Sequence, residues 1–157
     1  MSWTTPKTFT AGMVITETDF NTHLRDNLNA LKNPPFQQIV TASATGWSTT
    51  ASTAVPISTA NLGVTLNTCG GDVQCYFLGW CADAGASFNL DYDGTAFTDR
   101  ISGLAHSRTD ERLMQYHVWV TGLASGAHTF LPTWRSTGQM VGLEMSAHPV
   151  VFWAREG

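Results

Sequence analysis

The chain reads as a mainly β protein: an antiparallel β-sandwich or jelly roll, preceded by an extended N-terminal arm and one short α-helix. Three observations predict this. Helical periodicity is confined to one stretch, Ile15 to Lys32, and Asn33-Pro34-Pro35 ends it, because neither proline supplies an N–H. After Pro35 the apolar residues recur with a period of two, in about eight short runs separated by turn residues. No longer repeat stands out. The expected division is residues 1–35, an arm and helix for attachment or oligomerisation, and residues 36–157, the β-domain.

Residues 1–14 are rich in Thr and Gly, with Trp3 and Phe9 among them. Such a segment is too polar to form a core, yet it carries two large rings. Burying each ring gains on the order of 2 kcal/mol, and ordering each residue costs about 1–2 kcal/mol. The arm is therefore expected to be mobile in the isolated protein and to bury its rings on a neighbouring subunit or a larger particle.

In the helix, Thr16 is placed to act as N-cap and Asp19 to reach back to it, a capping box with Asp for the usual Glu. Ile15 and Phe20 match a hydrophobic staple, and Lys32 in the last turn suits the helix dipole. The apolar positions Phe20, Leu24, Leu28 and Leu31 form a narrow seam. A seam this narrow suits pairing with a few other helices; the alternative is a helix folded back on its own domain.

Phe36 to Ala42 reads as the first strand, and Thr41 to Thr53 as loop or weak strand around Trp47. Val55 to Ile57 and Val64 to Thr68 are short strands rich in β-branched residues, separated by Asn61-Leu62-Gly63. Val73 to Ala82 is the strongest strand, and both of its parities are apolar: Val73, Cys75, Phe77 and Cys81 on one side, Tyr76, Leu78 and Trp80 on the other. An antiparallel strand with one wet face alternates with polar residues, so something covers each face. One cover is the domain's own second sheet; the other is either a subunit neighbour or more of the same chain. Ser87 to Tyr92 and Ala96 to Ile101 flank Asp93-Gly94, a hairpin dipeptide. Gly103 to Arg112 reads as a polar loop. In Leu113 to Leu123, Met114, Tyr116, Val118 and Val120 point inward and Gln115, His117 and Thr121 outward, and Trp119 breaks the outward polar face. Ala127 to Arg135 contains Pro132, which cannot donate to a ladder and is expected at an edge or a bulge. Met140 to Ser146 and Val150 to Arg155 complete the set.

Charged residues make up only 13% of the chain and the net charge is −4, a surface suited to a protein that sits against neighbours. The charges of residues 1–35 cancel, and the negative balance lies in the β-domain. No basic patch points to nucleic acid or a polybasic membrane anchor. No run approaches the roughly 18 apolar residues of a membrane span, and the opening lacks the pattern of a signal peptide, so synthesis in a cytoplasm is expected. Cys69, Cys75 and Cys81 form no C-x-x-C pair. Cys75 and Cys81 on one strand would lie about 20 Å apart, beyond disulfide reach, so buried free thiols are expected.

Little in the sequence carries chemistry. Asp91-x-Asp93-Gly94 could open a calcium loop, but the later ligands of that motif are missing, and a hairpin turn accounts for it. His106, His117, His128 and His148 show no zinc-ligand spacing. The elbow pattern around a nucleophilic serine is absent, and Asp110-Glu111 is most simply a solvated pair. Catalytic, cofactor and metal residues are therefore expected to be none. The residues singled out are interface candidates: Trp3, Phe9, Phe20, Leu24, Leu28, Leu31, Tyr76, Leu78, Trp80 and Trp119.

Trp3-Thr4-Thr5-Pro6, Gly12-Met13-Val14-Ile15-Thr16 and Phe20-Asn21-Thr22-His23-Leu24-Arg25-Asp26-Asn27-Leu28 together resemble the opening of many tailed-bacteriophage virion proteins, in which it precedes a β-rich domain. Gly126 to Phe130, Trp134-Arg135 and Val150 to Glu156 are similar to the last strands of such domains. The likeness covers about 35 residues at the start and about 30 at the end. It implies a non-enzymatic structural protein of the virion, made in the host cytoplasm. The simplest expectation is a capsid decoration protein that attaches as a homotrimer to other virion proteins such as the major capsid protein. Two rivals stand beside it: a short tail or head fibre that recognises host-surface glycans, and a glycan-degrading enzyme.

Overall fold

The computed structural model describes residues 4, 7–41, 46–81, 86–96, 112–136, 141–144 and 149–157. Trp3, most of the run Ala96 to Ile101, the stretch from Gly103 to Glu111 and the acidic pair Asp110-Glu111 lie outside the described residues.

The N-terminal helical stretch has three parts: α1 (Glu17–Phe20), a π-helical turn (Asn21–Arg25) and α2 (Asp26–Lys32). Thr16 caps it. Its Oγ1 accepts from the Asp19 N–H at 3.2 Å and the Asp19 carboxylate accepts from the Thr16 N–H at 3.0 Å. This reciprocal pair satisfies two donors that a helix start otherwise leaves open.

Among the described residues eleven strands follow: ten fall on the runs named above, and one more forms around Trp47, in the stretch read as loop or weak strand. They are β1 (Phe36–Thr41), β2 (Trp47–Thr49), β3 (Val55–Pro56), β4 (Val64–Thr68), β5 (Gly71–Cys81), β6 (Ala86–Tyr92), β7 (Thr95–Ala96), β8 (Arg112–Leu123), β9 (Gly126–Ser136), β10 (Val141–Glu144) and β11 (Val150–Glu156). One short helix, α3 (Thr59–Leu62), lies where the sequence indicated only a break between strands. Ser58 Oγ caps it by accepting from the Asn61 N–H at 3.2 Å, and it drops Leu62 fully into the core.

All pairings are antiparallel. In the first sheet β5 is central. It pairs with β8 on one side and with β11, then β10, on the other; β1 lies outside β11 and β2 outside β10. In the second sheet β9 is central, between β6 on one side and β4, then β3, on the other, with β7 outside β6. Each sheet is thus effectively four strands wide. The main strands run β1-β11-β5-β8 and β4-β9-β6-β7, and the chain crosses between sheets repeatedly: this is jelly-roll connectivity.

Alternation puts the core between the sheets. Phe77 of β5 stacks on Phe88 of β6 with ring centroids 5.6 Å apart and on Tyr116 of β8 at 5.2 Å. Phe152, Phe130, Trp134, Val73 and Leu90 fill the same layer. Tyr116 is buried, and its hydroxyl donates to the Asn89 carbonyl at 3.0 Å. Burial pushes its pKa well up, and the Cys75 thiol beside it adds to that. The three cysteines are free, with Cys75 and Cys81 buried; burial alone pushes Cys75 far above the usual thiol range.

The expectation for Pro132 is overturned. It lies on β9, the central strand of its sheet, opposite Leu90, and shows neither edge nor bulge. Its carbonyl accepts from the Ile57 N–H at 2.9 Å. The N and O of one residue point to the same side of an antiparallel strand, so the missing donor lies on the Ile57 side, just past the last β3 pair Pro56–Thr133, and not on the β6 side. The ladder with β6 therefore loses no bond at Pro132.

Candidate interaction surfaces

The helix is inside out. Among its described residues the buried ones are the polar Asp19 and Asn27, while Phe20, Leu24, Leu28 and Leu31 are 50–66% exposed. The arm causes this. Thr4 N–H donates to Asn27 Oδ1 at 2.9 Å and Asn27 Nδ2 donates to the Thr4 carbonyl at 2.8 Å, so one amide side chain satisfies both polar groups of an arm residue. Lys7 Nζ reaches Asp19 Oδ1 at 2.7 Å. The Lys7 bond is the main cause holding the Asp19 carboxyl far below the usual range, and the two Thr16 bonds add to it. The arm therefore docks on the polar side of its own helix. The arm is expected from its sequence to be mobile before assembly; its described part is instead held to the helix by the side chains of Asn27 and Asp19, which supply bonds that two rings could not.

The seam stays bare on the other side. Phe9 of the arm comes beside its N-terminal half, lining with Ile15, Phe20 and Leu24 a hollow of about 190 Å³. In a regular helix a four-residue step drifts by about 40°. Here a π turn, bonding i to i+5, covers the step from Phe20 to Leu24.

A second bare surface lies on the outer face of the first sheet, where strand register builds it row by row. Trp119, Gln74, Arg155 and Phe36 stand side by side on β8, β5, β11 and β1. The next row is His117, Tyr76, Trp153 and Gln38, and the third is Gln115, Leu78, Val151 and Val40. Trp80 and Leu113 begin a fourth. Phe36, Val40, Leu113 and Trp119 are 46–57% exposed; Tyr76, Leu78, Trp80 and Trp153 are half-buried. Within the three complete rows Arg155 is the only Lys, Arg, Asp or Glu. The rings pack on one another: Trp153 stacks on Tyr76 at 5.5 Å and meets Phe36 and His117 at 6.2 Å.

All four sequence candidates of the β-domain, Tyr76, Leu78, Trp80 and Trp119, thus share one face, and the four helix candidates share one seam. Sequence reasoning missed Phe36, Val40 and Trp153 on that face and Asn27 beneath the arm. The two surfaces meet in a cleft of about 760 Å³, where Leu31, Lys32 and Pro35 face Gln74, Trp119 and Arg155.

Polar clusters elsewhere are used up by the fold. In the β6–β7 turn Asp93 and Gly94 have φ of 51° and 77°, the two positive values of a type I′ hairpin. Asp91 Oδ1 accepts from the Gly94 N–H at 2.9 Å, and Asp93 accepts from Thr129 N–H at 2.7 Å and faces His128 Nδ1 at 2.6 Å. His128 Nε2 lies 2.9 Å from the Ala124 carbonyl. Both ring nitrogens face acceptors, so the charged imidazolium fits best: the Asp93 bond, then the Ala124 bond, raises the His128 pKa. Burial opposes ionisation of Asp93, but the His128 and Thr129 bonds outweigh it and its pKa is lowered. Glu156, nearly buried, accepts from the Cys69 N–H at 2.8 Å with both oxygens. Among the described residues no three His, Cys, Asp or Glu side chains gather to hold a metal ion, and no described helix is long and apolar enough to cross a membrane.

No protein-family model matches the chain. No curated protein is significantly similar to it. Among solved structures, dimeric latent PorU from Porphyromonas gingivalis is similar over 78% of this chain, at 14% identity and a TM-score of 0.40. The chain spans about 13% of that protein's length. A likeness this loose carries no argument about function.

Proposed function

We propose that this chain is a non-enzymatic structural protein of a tailed-phage virion, most simply a capsid decoration protein that attaches to the particle as a homotrimer. The observation that carries the reading is the inside-out helix. Exposing four large apolar side chains along one line while two polar ones are buried is unfavourable for a chain that stays alone. It becomes favourable once the seam meets other helices. The opening Trp3 to Leu28 supports the virion assignment through its resemblance to phage proteins, and the low charge of the surface agrees with a life among neighbours. In this reading the seam gathers the copies, and the β-domain faces outward from the attachment point. The major capsid protein is the partner at that point.

The test is to locate the protein on purified particles by labelling and to prepare particles without it. Heads that rupture more readily under heat or osmotic shock, with host adsorption unchanged, are expected. Intact heads with lost adsorption would overturn the decoration reading in favour of a short fibre that recognises host-surface glycans.

A further inference from the structure

We infer that the outer face of the first sheet is a second self-association surface, buried against the same face of other copies when the helix seams come together. The inference rests on the self-association proposed above and adds to it where the β-domains touch.

Continuity between the surfaces is the first argument. Leu31 of the seam and Trp119, Gln74 and Arg155 of the first row line one cleft. Parallel, in-register helices bring every copy's Leu31 to a common axis. The row that shares Leu31's cleft then lies beside that axis, and the sheet faces converge on one another.

Area is the second argument. The face is four strands wide at about 4.8 Å each and roughly 23 Å long, on the order of 400 Å². The helix, roughly 24 Å long and about 10 Å across, offers on the order of 200 Å². A stable interface uses about 800 Å² per partner. Neither surface approaches that alone, and both together come near it.

The chemistry of the face is the third. Cores of protein interfaces are rich in Trp, Tyr and Arg and poor in other charges, which describes the three rows. A glycan platform needs ring faces free for stacking. One face of Trp153 is already stacked on Tyr76, and Phe36 and His117 tilt against it, so the centre of the patch presents edges of a packed cluster. A second copy of the same surface, with Gln74, Gln38, Gln115 and Arg155 spaced between the rings, fits this better than a sugar.

The test compares full-length variants by sedimentation equilibrium. Leu78→Asp charges the centre of the face. Leu78 is half-buried in its own sheet, so Val40→Asp, at a position 57% exposed, is the companion that spares the fold. Near-ultraviolet circular dichroism checks both. The expected result is a folded protein whose dissociation constant rises roughly thirtyfold or more for Leu78→Asp, as for loss of an interface hot spot, and by a smaller factor for Val40→Asp. Folded variants that associate as the parent does, while Leu24→Gln/Leu28→Gln dissociates, would overturn the inference and leave the seam reading standing. A parent that is monomeric at high micromolar concentration would overturn both. Unchanged association with lost binding to immobilised host glycans would overturn the inference in favour of receptor recognition.

Discussion

Replacing Leu24 and Leu28 by Gln tests the inside-out helix directly. Leu and Gln have nearly equal helix propensity, and the two positions are 50% and 57% exposed, so within one chain the exchange removes little packing. Stability measured on dissociated protein should change by no more than about 0.5 kcal/mol, as for ordinary surface positions. Association behaves differently. Full burial of a Leu side chain is worth about 2 kcal/mol, and about half of that remains to be gained at each position. The double variant therefore forfeits about 2 kcal/mol per chain, or about 6 kcal/mol for a trimer, equivalent to roughly four powers of ten in the overall association constant. Sedimentation equilibrium reads the association, and urea denaturation at the lowest usable concentration reads the chain itself. A clear fall in the denaturation midpoint of dissociated protein would show that the leucines pack within their own chain. An unchanged association constant would show that the seam joins nothing. The same arithmetic gives all four seam residues about 5 kcal/mol per chain, against an association cost of about 4–15 kcal/mol, which is why a further contact surface is needed.

Three more outcomes are expected. Thr16→Ala should weaken the helix start by about 1 kcal/mol, read as faster hydrogen exchange of the amides in the first turn; Thr16→Ser should exchange like the parent, and equal rates in all three would show that the cap contributes nothing. The His128–Asp93 pair makes stability depend on pH from both sides. The raised His128 pKa gives a contribution fully present below its ordinary value of about 6.5 and lost as pH rises through the folded value, and the lowered Asp93 pKa gives one present above its ordinary value of about 3.9 and lost as pH falls. His128→Gln should abolish the alkaline loss in thermal melts; parallel profiles for variant and parent would refute the pairing. Trp134→Ala, at a buried core position, should cost about 3–5 kcal/mol, and Trp80→Ala, half-buried on the outer face, about 2 kcal/mol on dissociated protein; equal losses in urea denaturation would place Trp80 in the core.

Legibility in the sequence followed the strength of local rules. Thr16 and Asp19 announce their cap because the capping box depends on spacing alone, and Val64 to Thr68 announces β4 because buried and exposed residues alternate along it. Pro132 misled because the proline rule concerns the missing N–H, and the place that N–H would point depends on a neighbour, Ile57, far away in the chain. The helix α3 was hidden because four residues are too few to show a period. On the surface, parity put Tyr76, Leu78 and Trp80 on one side of β5, but β11 carries apolar residues at both parities, so Trp153 gave no sign of which way it faced. The rows of the outer face exist only through register between strands. Asn27 was illegible for a related reason: its partner is the backbone of Thr4, and backbone groups look alike in every sequence.

The pairing of β1 with β11, in which Phe36 lies opposite Arg155, bears on the order of events at the ribosome. Contacts between segments so distant along the chain slow folding, because loop closure is paid for before the contact is gained. The β-domain cannot be completed until β11 has left the exit tunnel. At about 5–20 residues per second, the helix is finished on the order of ten seconds earlier. For that interval each growing chain carries its seam residues ahead of an open sheet whose strands β1 and β5 still await β11 between them. On the self-association proposed above, neighbouring chains on one message would hold such helices close together at this stage, and assembly would begin through the seam before the jelly roll closes. A chain cut short before Val150 would keep the seam and leave both strand edges open, which makes truncated copies a source of aggregation.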